Sequence, residues 1–372
     1  MWIIIFGLML ICGLGGIVYL LTRFRRFSLI RRTAEKSKPL SWFLAALPLL
    51  LIGCFGLINI FAMLVVFIHL AVFWLICDLA GHISRRITKK APGGYYEGAA
   101  ALAITAVYLS IGWYLAHHVC RTVYSLTTEK DIGRDKLRIV EIADLHLGIT
   151  LDGKQFAKQM KRVEEESPDA VIIVGDFVDD DSRKADMIKA CEALDIDTTY
   201  GVFFTYGNHD KGYYNNRDFS YEELETELKK NNVTLLQDEA VLIDGSFYII
   251  GRQDRSEDER SSMDELMKGV DKSKYMIVAD HQPNAYDEEA ASGAYLVLSG
   301  HTHGGHIWPA GQIGLLIGAN DRIYGKETRD DTTFIVTSGI SGWAIPFKTG
   351  TKSEYVVIDI EKKSKPPVKR VV

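Results

Sequence analysis

The chain has 372 residues, 47% of them hydrophobic and 24% charged, enough for about two or three structural units and too long for a scaffold that needs staples. Its net charge of −5 hides two opposed parts: residues 1–120 carry 11 Lys and Arg against 3 Asp and Glu, a net of +8, and residues 121–372 carry the other 32 against 45, a net of −13. The acidic part argues against a nucleic-acid binder, because a phosphate backbone is held by positive surface and counterion release.

Trp2 to Thr22 is an uncharged apolar run of 21 residues, which at about 1.5 Å per residue spans a hydrocarbon core of roughly 30 Å. Only Met1 precedes it, and the charges follow as Arg23, Arg25, Arg26, Arg31, Arg32, Lys36 and Lys38. A cleaved signal peptide has its basic stretch first, so the run reads as an uncleaved anchor with its amino terminus outside. The apolar run Ser41 to Ile83 covers 43 residues, about twice one crossing, and predicts a hairpin of two helices broken near Gly53, Gly56 and Asn59. Arg85, Arg86, Lys89 and Lys90 come next, then a last apolar run from Gly98 to about Leu115. Crossings at about 2–22, 41–58, 60–82 and 98–117 put both basic loops on the cytoplasmic face, as the positive-inside rule requires. The expectation is a multi-pass protein of the cell membrane, with a membrane domain at 1–120 and an extracytoplasmic domain at 121–361. Trp42, Trp74, Trp113 and Tyr114 suit interfacial belts, and His69, Asp78, His117 and His118 read as structural residues or headgroup neighbours. Residues 362–372, with Pro366 and Pro367, read as a disordered basic tail.

From residue 137 onward, short β-rich runs alternate with amphipathic helical stretches, the pattern of a layered α/β domain. Strands are predicted at 137–142, 170–174, 202–206, 247–250, 275–279 and 295–298, and helices at 153–166, 183–194, 221–230 and 262–268. Polar clusters follow the strands: Asp144-Leu-His146, Gly175-Asp176-Phe-Val-Asp179, Gly207-Asn208-His209-Asp210, His281, and Gly300-His301-Thr-His303-Gly304-Gly305. Loops past the carboxyl ends of strands in an open α/β sheet converge on one crevice, so these clusters are expected to meet. Their carboxylates, imidazoles and amide suit Mn, Fe or Zn better than Ca or Mg, and the inventory fits a dinuclear site with one bridging carboxylate. Concentrating so many ionisable groups makes physical sense only where cations neutralise them. Of the five cysteines, only Cys191 lies deep in the soluble part, so no disulfide framework or CxxC metal site forms there.

The order DxH, GDxxD, GNHD, lone His and GHTH resembles the calcineurin-like metallophosphoesterases, and the basic-looped anchor before it resembles their bacterial membrane-bound branch. The resemblance covers about residues 136–360. It implies a four-layer α-β-β-α sandwich, here preceded by four transmembrane helices, and two divalent metal ions. One ion would take Asp144, His146, Asp176 and His303; the other would share Asp176 and take Asn208, His281 and His301. His209 matches the family's catalytic histidine, with Asp210 as its orienting partner. The chain departs from the branch at His306, where Gln is frequent, at Asp280-His281-Gln282-Pro283, where Ser-His-Asn-Pro is usual, and at Lys348, where Arg is frequent. Arg252, His306 and Lys348 are candidate substrate contacts, and 213–221 and 244–258 are candidate walls of the site. The implied activity is hydrolysis of a phosphate ester or pyrophosphate bond by metal-activated hydroxide at the outer face of the membrane. The four-helix tether favours a lipid-linked or cell-envelope substrate. A non-catalytic membrane sensor or scaffold that binds phosphorylated ligands is the alternative from another class, and a nuclease of the same superfamily is disfavoured by the charge of −13.

Overall fold

The structure, a computed structural model, describes residues 2–89, 94–213 and 217–363, with the backbone alone for 2–12. The chain divides into two compact units, Met1–Gly112 and Trp113–Val372.

The first unit is helical: α1 (Trp2–Phe24), α2 (Ser28–Lys36), α3 (Lys38–Phe55), α4 (Ile60–Thr88) and α5 (Tyr96–His117), the last running into the second unit. Among the residues with described side chains, three helices, α3, α4 and α5, are long and apolar enough to cross a membrane. The long apolar run breaks between Phe55 and Ile60, where Asn59 caps α4 by accepting from Ala62 N at 2.7 Å. The segment between the first two apolar runs contains the amphipathic α2, made of good helix formers such as Leu29, Arg31, Arg32, Ala34, Glu35 and Lys36. Asp78 is a hub. It accepts from the Tyr19 and Tyr95 hydroxyls at 3.0 and 3.2 Å and pairs with Arg23 and, at 3.9 Å, with Arg26. A carboxylate in an apolar bundle is tolerable when it is paired and hydrogen-bonded in this way.

The second unit follows the order β1 (Cys120–Thr128), β2 (Lys136–Ile142), α6 (Gly153–Glu164), β3 (Ala170–Val174), α7 (Lys184–Glu192), β4 (Val202–Thr205), α8 (Tyr221–Lys230), β5 (Val233–Leu235), β6 (Glu239–Ile243), β7 (Phe247–Gly251), α9 (Met263–Leu266), β8 (Tyr275–Ala279), α10 (Tyr286–Ser292), β9 (Leu296–Ser299), α11 (Ala310–Leu316), β10 (Gly325–Arg329), β11 (Thr332–Val336) and β12 (Glu354–Lys362). Of the tail expected at 362–372, Lys362 ends β12 and pairs in register with Thr128, which corrects its start, and residues 364–372 lie outside the described residues.

Two six-stranded sheets form, with strand orders β1-β12-β2-β3-β4-β5 and β10-β11-β9-β8-β7-β6. The two-residue period of the strands sorts side chains to the two faces of each sheet. In β3, Val171 and Ile173 join Phe156, Met187 and Leu224 of α6, α7 and α8, whereas Ala170, Ile172 and Val174 face the other sheet. In β8, Tyr275, Ile277 and Ala279 face that inter-sheet core, and Met276 and Val278 pack on Met263 and Tyr286 of α9 and α10. The layers are therefore helix, sheet, sheet and helix, the α-β-β-α sandwich expected from the sequence. β2, β3 and β4 run parallel in one sheet, and β7, β8, β9 and β11 run parallel in the other. Each set of strands brings its carboxyl ends to one edge of its sheet.

α6 separates core packing from capping. Phe156 is fully buried and meets the Phe177 ring edge-on at 5.5 Å, while Asp152 closes a capping box with Gln155. Phe156→Ala is expected to destabilise the domain by about 3–5 kcal/mol and Asp152→Ala by about 1 kcal/mol. Thermal unfolding followed by near-ultraviolet circular dichroism should rank the two variants in that order.

Candidate metal centre

The strand ends deliver the side chains. Asp144 and His146 follow β2, Asp176 follows β3, Asn208 and His209 follow β4, His281 follows β8, and His301 and His303 follow β9. Backbone bonds fix these loops to one another: His146 N donates to Asp176 O at 3.0 Å, His209 N to Asp176 Oδ1 at 2.9 Å, and His301 N to Asp144 Oδ1 at 2.8 Å. Asp144, His146, Asp176, His301 and His303 all adopt positive φ, a strained conformation for non-glycine residues that surrounding structure must hold in place. Close approach demands glycine at two places. A Cβ on Gly175, at φ +74°, would stand 2.5 Å from Gly207 N and 2.6 Å from His281 Nδ1, and one on Gly339, at φ +75°, would stand 2.6 Å from Asp144 Cβ.

Three groups of ligand-type atoms result among the described residues, Asp144 with His146 and His303, Asp176 with His281 and His301, and His146 with Asp179 and His209, the atoms of each group lying within 4.8 Å of one another; the first two fit the expected pair of ions. Asp176 Oδ2 stands between them, 3.4 Å from His146 Nε2 and 3.0 Å from His281 Nε2. The site is buried, with Asp144, His146, Asp176, His281 and His303 all below 5% exposure. Burial lifts the Asp144 carboxyl above its ordinary range, whereas the surrounding histidines, His281 foremost, outweigh burial at Asp176 and hold it well below. Burial, reinforced by neighbouring histidines, lowers His301 to about 4 and His303 well below its usual value, leaving neutral imidazoles, the form that binds metal.

The donor set fits a pair of divalent cations on a direct observation. Asp144 Oδ2 and Asn208 Oδ1 are buried without a hydrogen-bond partner, and buried polar atoms are normally satisfied; His281 Nε2 faces only the Asp176 carboxylate, at 3.0 Å. Their neighbours aim these atoms. Tyr213 Oη accepts from Asn208 Nδ2 at 2.6 Å, which leaves the amide oxygen free, and His281 Nδ1 bonds Val174 O at 2.8 Å, which leaves Nε2.

Three sequence expectations about individual residues are corrected. Asp210 does not orient His209. Its carboxylate accepts from the backbone N–H groups of Asp176, Phe177, Val178 and Gly207, tying the β3 and β4 exits together, because four converging N–H donors need a buried acceptor. The orienting carboxylate is Asp179, 3.0 Å from His146 Nδ1 and 3.2 Å from His209 Nδ1. Its signal was present as the second Asp of the Gly175–Asp179 cluster.

Arg252, expected at the substrate, is buried and paired with Asp280, Glu288 and Glu289 at 3.2, 3.2 and 3.4 Å, since buried acids require a counter-charge. Lys348, also expected there, is fully buried, and its Nζ donates to Ser338 O and Gly339 O, fixing the loop that packs on Asp144. Burial pushes that amine down to about 7. Arg260 forms a two-pronged pair with Asp280, 3.0 and 2.5 Å long.

His306 stays at the site, its ring stacked 5.3 Å from that of His303 and its Nε2 unpartnered. Of the expected walls, Tyr213 stands 5.0 Å from the His209 ring, and Trp343, from the loop after β11, stands 5.8 Å from it. Residues 214–216 lie outside the described residues.

This constellation on this sandwich defines a metal-dependent phosphoesterase. The calcineurin-like phosphoesterase family model matches residues 137–305. An uncharacterized metallophosphoesterase of Aquifex aeolicus is 32% identical over 248 residues, spanning 64% of this chain and 91% of that protein. One from Campylobacter jejuni is 30% identical over 274 residues, spanning 70% and 68%. A Danio rerio transmembrane protein with metallophosphoesterase domain is 27% identical over 324 residues, spanning 83% and 72%. Among solved structures, a dimetal phosphatase from Danio rerio aligns at a TM-score of 0.33 and 12% identity, over 54% of this chain and 86% of that one. The chain belongs to the calcineurin-like metallophosphoesterases, and it is a metal-dependent phosphohydrolase with membrane-type helices.

Gly175→Ala is expected to leave far-ultraviolet circular dichroism unchanged and to lower metal-dependent phosphoester turnover by about 100-fold, the cost of shifting a reacting geometry by about 1 Å.

Proposed function

We propose that this protein hydrolyses a phosphate ester or pyrophosphate bond at the outer face of the cytoplasmic membrane, on a phosphorylated substrate that is lipid-linked or belongs to the cell envelope. The observation that carries the chemistry is the pair of ligand groups that meet at Asp176, with Asp144 Oδ2 and Asn208 Oδ1 buried and without a hydrogen-bond partner. Asp144, His146, Asp176 and His303 would hold one divalent ion, and Asp176, Asn208, His281 and His301 the other. Mn, Fe or Zn suits these donors. When bound, such a pair supplies Lewis acidity toward phosphoryl oxygens and a hydroxide nucleophile near neutral pH.

The chain's own residues do the remainder. His209 Nδ1 donates to Asp179 Oδ1, which leaves Nε2 for the reacting groups. Burial disfavours the His209 charge, but Asp179 and Asp176 outweigh it and raise the pKa; in its protonated form the imidazole would donate to a leaving alkoxide from Nε2. Asp179 also holds His146, so one carboxylate keeps both a metal ligand and the acid in register. The Tyr213 and Trp343 rings flank His209 and limit water around it.

The membrane reading takes α1 as the fourth crossing beside α3, α4 and α5, with the basic segments 23–38 and 84–90 in the cytoplasm.

In purified full-length protein with Mn²⁺ and a chromogenic phosphoester, Asp176→Asn is expected to lose both metal and turnover. His209→Ala is expected to keep its metal, measured by mass spectrometry, while turnover falls about 10²–10⁴-fold. Undiminished turnover in either variant sinks the proposal. The topology is checked separately by fusing alkaline phosphatase after residue 125: activity in intact cells is the expected result, and its absence overturns the outer-face assignment.

A further inference from the structure

The segment that supplies His301 and His303 continues into a surface feature that the chemistry does not use. Residues 307–319 run Ile-Trp-Pro-Ala-Gly-Gln-Ile-Gly-Leu-Leu-Ile-Gly-Ala, thirteen residues without a charge in a part of the chain whose net charge is −13. They contain α11, and its large apolar side chains point into solvent. Leu316 and Ile317 are 86% and 72% exposed, and Trp308, Ile313 and Leu315 are exposed as well. The base of the segment is fixed by polar bonds. Thr302 Oγ1 donates to Ile323 O at 2.7 Å, Trp308 N to Thr349 Oγ1 at 3.1 Å, and Thr349 N and Gly350 N to His306 O at 2.9 and 3.0 Å. Gly311 packs on Gly305, so the helix is tied within the loop that carries the histidines. The exposed Trp343 adds to this apolar rim and stands beside His209.

An exposed apolar cluster of this kind marks an interaction surface. We infer that α11 and Trp308 dock into the headgroup and acyl boundary of the bilayer, turning the mouth of the metal centre toward phosphoesters borne on lipids. Three observations favour a bilayer over a protein. A protein interface carries roughly one hydrogen bond per 100–200 Å², yet residues 307–319 offer one polar side chain, Gln312. The mix of Trp, Ile and Leu with no acid is that of an interfacial membrane segment. Only His118 and Val119 separate the end of α5, a helix apolar enough to cross a membrane, from β1, so the chain itself keeps the catalytic unit beside a lipid surface. The lipid-borne substrate rests on the phosphoesterase reading above; the docking does not.

The full-length protein, with Cys12, Cys54, Cys77, Cys120 and Cys191 replaced by Ala and an NBD fluorophore at Leu316→Cys, is reconstituted into vesicles of phosphatidylcholine and phosphatidylglycerol. Docking gives blue-shifted emission quenched by lipids with nitroxide near the headgroup, while the same label at Glu192→Cys on α7 stays unquenched. Emission at 316 that ignores nitroxide lipids overturns the docking, whether it is water-like, as for a free patch, or blue-shifted, as for contact with a second copy. If the cysteine-free chain fails to fold, the difference in bromolipid quenching between wild type and Trp308→Phe makes the same comparison.

In the same vesicles, Leu316→Glu with Ile317→Glu is expected to keep turnover of a soluble chromogenic phosphoester within about twofold and to lower turnover of phosphatidic acid, phosphatidylglycerol or cardiolipin at least about tenfold, through loss of remote binding energy. A wild-type chain that cleaves the soluble ester but none of these lipids overturns the lipid-borne substrate. A chain that cleaves neither speaks against the phosphoesterase reading, and the depth measurement still decides the docking.

Discussion

The second unit depends on one electrostatic constraint, the crowding of two carboxylates and their histidine neighbours into one largely buried site. At interior dielectric such groups are costly unless they are paired, and the chain brings them together anyway by placing every one at the carboxyl end of a strand. Tight backbone bonds and left-handed residues at Asp144, His146, Asp176, His301 and His303 hold the crowding in place. The strain is spread over both sheets, so neither sheet alone could keep the geometry. Gly339 against Asp144, with Lys348 holding its carbonyl, brings the loop after β11 into the same frame. The buried charges farther out are compensated locally: Arg252 and Arg260 neutralise Asp280 and Glu289, and this keeps the residue before His281 fixed.

The parts legible in the sequence were those written in local pattern. The strands before the polar clusters are short, mainly apolar runs rich in Val, Ile, Leu and Phe, interrupted in β2 by Arg138 and Glu141, and α6 and α8 announce themselves by Asp152 with Gln155 and Ser220 with Glu223. The α-β-β-α layering followed from that alternation together with the family motifs. What was not legible was set by distant partners. β1 alternates half-buried with exposed residues and exists because β12, more than 200 residues later, pairs with it in parallel. Asp179 and Asp210 are both acids at the end of a cluster, and nothing local says that Asp210 meets four backbone donors while Asp179 reaches two histidines. Arg252 and Lys348 read as candidate substrate contacts because burial is a property of the whole fold and is not written in the local sequence.

The first unit solves a smaller version of the same problem by a different route. Asp78 is stabilised by Tyr19 and Arg23 of α1, by Arg26 after it and by Tyr95 just before α5, with Trp74 donating to Tyr95 at 2.7 Å behind it. Direct side-chain partners offset the buried charge, and no cluster of unpartnered acceptors is needed. The contrast sharpens the reading of the second unit. There two groups of ligand-type atoms share Asp176 as a neighbour, and Asp144 Oδ2 and Asn208 Oδ1 find no partner, whereas the Asp78 carboxylate has its partners in the chain.

Charge also bears on how a substrate would arrive. A part of the chain with a net charge of −13 repels phosphate at long range, and steering by complementary potential, which can raise association rates by about 10–10³, is closed to it. Within a Debye length of about 8 Å at physiological salt, the buried cations that the site is built for would dominate, so capture has to begin close to the centre. Confining enzyme and substrate to one surface solves the approach by geometry, because a tether raises effective concentration without any new contact. On this view the uncharged α11 rim and the acidic body are complementary features. The body keeps soluble phosphates at a distance, and the rim meets the surface on which a lipid-borne phosphate is already concentrated.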